Sequence, residues 1–392
     1  MLKKLLFEDT ASAFALKSDY QLRRAYLLFK MISYGGLVKI GTALTKMALK
    51  LNLPVEGLIR ATVFDHFCGG VSEQDCLPVI DELYTQDVSS VLDYSVEGKA
   101  IESQFDDALE KILKIISFCE DRSAMPIVVF KPTGFGRFYL YQKITDNKAL
   151  TPAEEEEWQR VIARYDKVCS TASEKDVEVL IDAEESWMQD AADQLAELMM
   201  EKYNKERPIV YNTLQCYRWD RLDYLKQLHK KSLKKGYKLG FKLVRGAYME
   251  KERERALEKN YDSPICESKQ ATDQLFNDAL TYSFKHIDDI ALFIGTHNEA
   301  SCYLATDLIE ELQLSKNDSN IWFGQLYGMS DHISFNLAKS GYNVAKYIPF
   351  GPVKDVMPYL IRRAKENTSV AGQTSRELDL INTEISRRKL IK

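Results

Sequence analysis

Glycine and proline are scarce in this chain, at 18 and 10 of 392 residues. That leaves no material for a flexible linker or a low-complexity tract. Long apolar runs are missing as well. The richest stretches are broken by lysine within a few positions, whereas a membrane-spanning helix needs about 20 consecutive apolar residues. The start reads MLKKLLFEDT, and its apolar run ends at Glu8 and Asp9, too early for a secretory core. Neither sign of charge dominates. The 53 basic and 58 acidic residues sum to −5, without the basic excess of a nucleic-acid binder, so no nucleic-acid partner is expected. The seven cysteines (68, 76, 119, 169, 216, 266 and 302) include no pair with the two-residue gap of a zinc or redox motif. They read as free thiols of a reducing compartment. The five histidines show no HExxH pattern, so no metal site is expected.

What is present is the balance of an ordinary globular protein, 45% hydrophobic and 28% charged. Residues 1–85 read as helical. Between Asp19 and Leu51, apolar residues recur at helical spacing (Leu22, Tyr26, Phe29, Leu37, Leu44, Met47), with a break at Gly35-Gly36. This region reads as a packing appendage. The alternative is a basic amphipathic surface, through Lys30, Lys39, Lys46 and Lys50, that touches a membrane.

From residue 86 short apolar runs alternate with longer amphipathic stretches. The runs are Val88–Tyr94, Pro126–Lys131, Val177–Ala183, Pro208–Leu214, Leu239–Val244, Ile290–Gly295, Ile321–Gly324 and Tyr342–Ile348. Eight such strands with intervening helices predict an α/β protein, a (β/α)8 TIM-like barrel with an N-terminal helical appendage. The expected divisions are 1–85 helical, 86–375 barrel and 376–392 tail. An open doubly wound sheet would normally carry GxGxxG after its first strand. The nearest match, Gly134-Phe135-Gly136, lacks the third glycine and follows the second strand.

In a barrel the active site lies at the C-terminal ends of the strands. Those ends carry Asp93 and Glu97, Lys131, Asp182 with Glu184, Gln215, Lys242 with Arg245, Thr296-His297-Asn298, Gln325 and Tyr347. Lys131 and Lys242 sit in apolar strands, where an ammonium needs an anionic or hydrogen-bonding partner. A Schiff-base nucleophile, an anion contact and a donor to an electron-rich cofactor all fit. In PYLIRRAKEN, Tyr359, Arg362, Arg363 and Glu366 share one helix face. Asp355 and Pro358 suggest a helix start close by, which would put both arginines near the positive end of the helix dipole. A paired arginine there calls for a carboxylate or a phosphate.

These segments together resemble the proline dehydrogenase family. The match is carried by Lys242-Leu-Val-Arg-Gly-Ala-Tyr248, Tyr347-Ile-Pro-Phe-Gly351 and Tyr359-Leu-Ile-Arg-Arg-Ala-Lys-Glu-Asn367. Supporting matches are Leu92–Glu97, Ile181–Glu185, Thr296–Asn298 and Phe323–Met329, in the family's order. The resemblance implies a barrel that oxidises L-proline to Δ1-pyrroline-5-carboxylate by hydride transfer from C5 to N5 of FAD. It implies a clamp on the substrate carboxylate by Arg362, Arg363 and Lys131. Tyr347, Tyr359 and Leu243 would wall the ring, and Glu97 would be a gate pairing with Arg362. Asp182 matches a family aspartate in the site, and Lys242 a cation near the flavin. Gln215, Val244, Gly246, Tyr248, Thr296, His297, Asn298, Gln325, Leu326 and Glu366 match flavin-contacting positions. Met249 stands where bifunctional bacterial members carry tryptophan. The implied partners are a membrane quinone as electron acceptor and a separate pyrroline-5-carboxylate dehydrogenase chain. The implied location is cytoplasmic, with peripheral contact at the inner membrane. A hydroxyproline-oxidising branch typically has serine where this chain has Tyr347, and a Schiff-base barrel lyase using Lys242 or Lys131 is the more distant alternative.

Overall fold

A computed structural model describes residues 6–34, 36, 41–43, 45, 47, 51, 54–94, 100–120, 122–369 and 373–389; of these, the side chains at 6, 61, 364–369, 373 and 374 are outside the description. Eight strands alternate with helices: β1 (Val88–Tyr94), β2 (Ile127–Phe130), β3 (Glu178–Ile181), β4 (Val210–Gln215), β5 (Leu239–Val244), β6 (Ile290–Gly295), β7 (Ile321–Leu326) and β8 (Val344–Phe350). Their order, β1-β8-β7-β6-β5-β4-β3-β2, is that of a nearly closed (β/α)8 barrel. The longer helices are α1 (Asp19–Ile32), α2 (Glu73–Tyr84), α3 (Glu102–Glu120), α4 (Phe138–Thr145), α5 (Pro152–Glu174), α6 (Ser186–Tyr203), α7 (Arg221–Lys235), α8 (Met249–Lys259), α9 (Lys269–Phe284), α10 (Glu299–Glu311), α11 (Asp331–Lys339), α12 (Val353–Ser369) and α13 (Gln373–Arg387).

The chain divides into two compact units, residues 98–324 and residues 1–97 with 325–392. In the first, β2 to β7 pair parallel and in sequence, for example Phe130 with Ile181, Thr213 with Lys242 and Lys242 with Phe293. Runs such as IVVF and IALFIG are apolar on both faces because helices cover one side and the interior closes the other. Local chemistry sets the helix ends. Thr151 and Glu154 form a capping box ahead of Pro152 at the start of α5. Gly236 closes α7 in the left-handed region, φ +68°.

In the second unit β1 pairs parallel with β8 along its whole length, from Val88–Val344 to Tyr94–Phe350. Helix α1 buries Leu22, Ala25 and Phe29 against Leu380, Ile381 and Ile385 of α13. The opposite side of α1 exposes Tyr20, Leu27 and Met31, so this helix is apolar on two faces. Leu37, Leu44, Lys39, Lys46 and Lys50 lie outside the described residues. Lys346 of β8 is fully buried and bonds Asp331 at 2.9 Å, and Asp331 also meets Lys17 at 3.0 Å. Breaking a buried pair of this kind costs about 3–5 kcal/mol, so it ties β8 to the start of α11 and to the N-terminal segment.

Candidate active site

In the unit of residues 98–324 the centre is Asp182, the first residue past β3. Its Oδ2 takes Lys131 Nζ at 2.7 Å, and its Oδ1 takes Lys242 Nζ. Lys131 follows β2 directly, and Lys242 lies inside β5. All three side chains are buried, with at most 14% exposure. Burial raises the carboxyl of Asp182, but the two ammonium groups outweigh it and hold that carboxyl well below the usual carboxylate range. Asp182 is therefore a fixed anion that aligns two cations, and it is unsuited to serve as a general base.

Strand alternation decides which neighbours share this site. Lys242 and Val244 point to one face of β5, and Leu239, Phe241 and Leu243 to the other. Phe241 meets Tyr224 of α7, ring centroids 6.4 Å apart, so that face packs on the outer helices. Leu243, expected as a wall of the substrate ring, is fully buried on that face and is not brought to the lysines. Gly246, just past β5, has φ +130°, and a Cβ there would stand 2.6 Å from the Tyr217 ring. Only glycine fits that approach.

Gln215 ends β4. Its amide nitrogen donates to the Glu184 carbonyl at 3.0 Å, while its buried Oε1 has no hydrogen-bond partner. Such an acceptor calls for an N–H from a bound group. After β6, the Thr296 hydroxyl accepts from Arg245 at 2.8 Å and from the Asn298 backbone at 3.1 Å, and Asn298 caps α10. His297 lies between them in the same loop, and Tyr248 directly precedes α8 without a side-chain cap bond. Met249 opens α8 and is 43% exposed.

In the other unit Tyr347 lies inside β8, and its carbonyl accepts from the Tyr327 backbone at 2.8 Å. Gln325 and Leu326 complete β7, which runs two residues beyond the expected Gly324. The Gln325 Oε1 accepts from Ser334 at 2.8 Å, and Leu326 packs on the cluster around Tyr359. Arg363 stands over the Tyr359 ring, 5.4 Å from its centroid. Burial pushes the Tyr359 hydroxyl well above its usual range, against the pull of Arg363. The helix that carries them corrects the sequence reading. Helix α12 starts at Val353, after Pro352, whose carbonyl accepts the first amides, and Pro358 lies inside it. Arg362 is thus about 14 Å along the axis from the start, and a dipole effect confined to the first turn does not reach it. The positive field at the arginine pair comes from the two guanidinium groups themselves, both partly buried. Glu97 lies outside the described residues, as does the side chain of Glu366.

Sequence reasoning placed Glu184 and Arg245 at strand ends but gave neither a role. Glu184 accepts two hydrogen bonds from Thr133, and Arg245 bridges Thr296, Ser301 and Asp273. Both stand in the strand-end series, but nothing in their spacing separated a site role from loop polarity. The described residues hold no group of three or more His, Cys, Asp or Glu that could bind a metal. No described helix is long and apolar enough to cross a membrane.

Comparison with known proteins gives one consistent result. Residues 76–376 match the family model described as Proline dehydrogenase. The chain is 31% identical to proline dehydrogenase 2, mitochondrial, of Arabidopsis thaliana, over 97% of this chain and 90% of that protein. It is 33% identical to the carbapenem antibiotics biosynthesis protein CarD of Pectobacterium carotovorum subsp. carotovorum, over 85% and 86%. It is 41% identical to human proline dehydrogenase 1, mitochondrial, over 61% of this chain and 40% of that one. Among solved structures, proline utilization A of Bdellovibrio bacteriovorus superimposes with a TM-score of 0.73 at 20% identity, a likeness of fold. That match covers 97% of this chain, which spans about two-fifths (42%) of the solved one.

Proposed function

The chain belongs to the proline dehydrogenase family, and from that membership we propose that it oxidises L-proline to Δ1-pyrroline-5-carboxylate with FAD, as the first step of proline catabolism. The observation that carries the reading is the buried Lys131–Asp182–Lys242 triad at the ends of β2, β3 and β5. The chemistry is assigned to residues 86–375, with 1–85 as a packing appendage and 376–392 as a tail.

The residues present fit a flavin. Gln215 offers a buried acceptor without a partner. We assign the holding of FAD to Gln215, Lys242, Val244, Gly246, Tyr248, Thr296, His297, Asn298, Gln325, Leu326 and Glu366. When bound, FAD supplies the acceptor for the hydride from C5 of proline. The protein's part is charge and position. Arg362, Arg363 and Lys131 grip the zwitterion's carboxylate, and Tyr347 and Tyr359 confine its ring. Lys242, held by Asp182, keeps a fixed positive charge where negative charge has to be accepted. Glu97 is read as the gate over Arg362. The triad is a pairing of charges, and a Schiff-base lysine has to shed its charge, so the lyase reading loses support.

Electrons are proposed to leave to a membrane quinone, and the product to pass to a separate pyrroline-5-carboxylate dehydrogenase. The exposed Tyr20, Leu27 and Met31 of α1, with Tyr34 just past its end and Arg23 and Lys30 beside them, support a peripheral contact with a membrane surface. One experiment tests the scheme. The purified protein should be yellow, bleach on addition of proline without oxygen, and regain colour when a quinone is added in anionic lipid vesicles. A colourless protein, or colour indifferent to proline, would end the proposal.

Tyr347 decides the substrate. Tyr347 is 8% exposed, and in this reading its ring takes the space that the serine of the hydroxyproline-oxidising branch would leave for a hydroxyl. kcat/KM for L-proline should exceed that for 4-hydroxyproline by about tenfold or more, the scale of discrimination that a filled pocket gives. Faster turnover of hydroxyproline would reverse the choice.

A further inference from the structure

We infer that Glu184 is a positioning residue that sets Lys131 through Thr133, an inference that rests on reading Lys131 as part of the substrate clamp. Lys131 is followed at once by a tight turn, Pro132–Gly134, in which the Gly134 amide donates to the Lys131 carbonyl at 2.9 Å. Glu184 holds this turn with both carboxylate oxygens. One accepts the Thr133 amide at 2.9 Å, the other the Thr133 hydroxyl at 2.7 Å. Tyr141 of α4 is fully buried and donates to the Pro132 carbonyl at 2.8 Å. The segment after Lys131 is therefore braced at two adjacent residues.

The platform behind Glu184 is itself tied down. Its amide donates to the Gln189 side chain at 2.8 Å, and its carbonyl accepts from Gln215. Asp182 and Glu184 stand two residues apart at the end of β3. The first takes the Nζ of Lys131 and the second takes the backbone just beyond it. Lys131 is thus held at its charged tip and by its main chain. Lys131, Glu185, Tyr141 and Tyr165 are the titratable groups around the Glu184 carboxyl, and burial pushes that carboxyl up to about 7. Burying a carboxylate is costly. A packing role alone would be met by a neutral residue, whereas two acceptors aimed at one threonine meet a need for orientation. Misplacing a clamp residue by about 1 Å can cost up to about 100-fold in rate.

The test is steady-state kinetics on the flavin-loaded enzyme, with FAD content and Tm measured beside it. Glu184→Ala should raise the KM for proline by about tenfold, with kcat within about twofold and FAD content unchanged. Thr133→Val keeps the amide contact and should raise KM by about threefold. The double variant should match Glu184→Ala alone, because both changes remove one linkage. Glu184→Gln, which keeps an acceptor, should fall between wild type and alanine. An unchanged KM in Glu184→Ala and Thr133→Val would overturn the inference. So would multiplicative effects in the double variant, or KM, kcat and FAD content failing together with Tm. If Glu184→Ala does not fold, Thr133→Val decides by itself. A wild-type protein that proline does not bleach would instead sink the proposed function.

Discussion

Asp182→Asn should be among the most damaging single substitutions in this protein. The change keeps the shape and removes the one charge shared by two buried ammonium groups, whose side chains are 14% and 7% exposed. Breaking a buried ion pair while leaving its partner in place costs about 3–5 kcal/mol. One carboxylate serves both lysines, so a loss of that order is expected in urea unfolding at pH 7. Turnover should fall by about 100-fold or more, because Lys131 and Lys242 lose their common anchor. The effect has a defined pH window. The carboxyl of Asp182 is held below its unfolded value, so its contribution is complete above the unfolded pKa of about 4 and is lost only as pH falls toward the folded value. The stability gap between wild type and variant should be flat from about pH 6 to pH 8 and narrow below about pH 4. A variant within about 1 kcal/mol of wild type at pH 7 would show that the triad does not carry the structural weight assigned to it.

Arg362→Ala and Arg363→Ala should give the second largest effect, this time on substrate binding. If the pair grips the proline carboxylate, truncating either one should raise KM by about 30- to 5,000-fold, the equivalent of about 2–5 kcal/mol for removing one side of a desolvated charge pair. FAD content should stay unchanged. The two variants need not be equal. Arg363 also stacks over Tyr359 at 5.4 Å, so its loss should loosen the ring wall as well, and lower kcat more than Arg362→Ala does. Proline kinetics unchanged in both variants would remove the clamp.

Much of the barrel was legible because parallel strands buried on both faces are written as apolar runs. Val88–Tyr94, Leu239–Val244 and Ile290–Gly295 begin and end in the structure where the runs do. Strands β7 and β8 each run two residues further than expected, through Gln325-Leu326 and through Pro349-Phe350. In β7 the polar Gln325 interrupts the apolar pattern, and in β8 Pro349 does, although the pairing of β8 with β1 continues to Phe350. The start of α12 was misplaced for a similar reason. Pro358 looks like a first-turn proline, yet the helix absorbs it and begins behind Pro352. The stretch 135–157 gave no pattern of its own. Its helix α4 packs Leu140 and Tyr141 into the core, which depends on contacts with chain far away in sequence.

Low glycine and proline with balanced apolar and charged content made an ordinary packed chain the expectation from the sequence alone. Periodicity determined the alternating strands and helices, because burial on one face or two leaves a period along the chain. Which charges meet was decided only by tertiary structure. Lys131, Asp182 and Lys242 are separated by 51 and 60 residues and share no motif, and one carboxylate joins them only because β2, β3 and β5 belong to one sheet, β2 beside β3 and β4 between β3 and β5. The same holds for Leu243, whose place beside Lys242 in the sequence puts it on the opposite face of β5, and for Glu184, whose role depends on a turn 51 residues earlier in the chain.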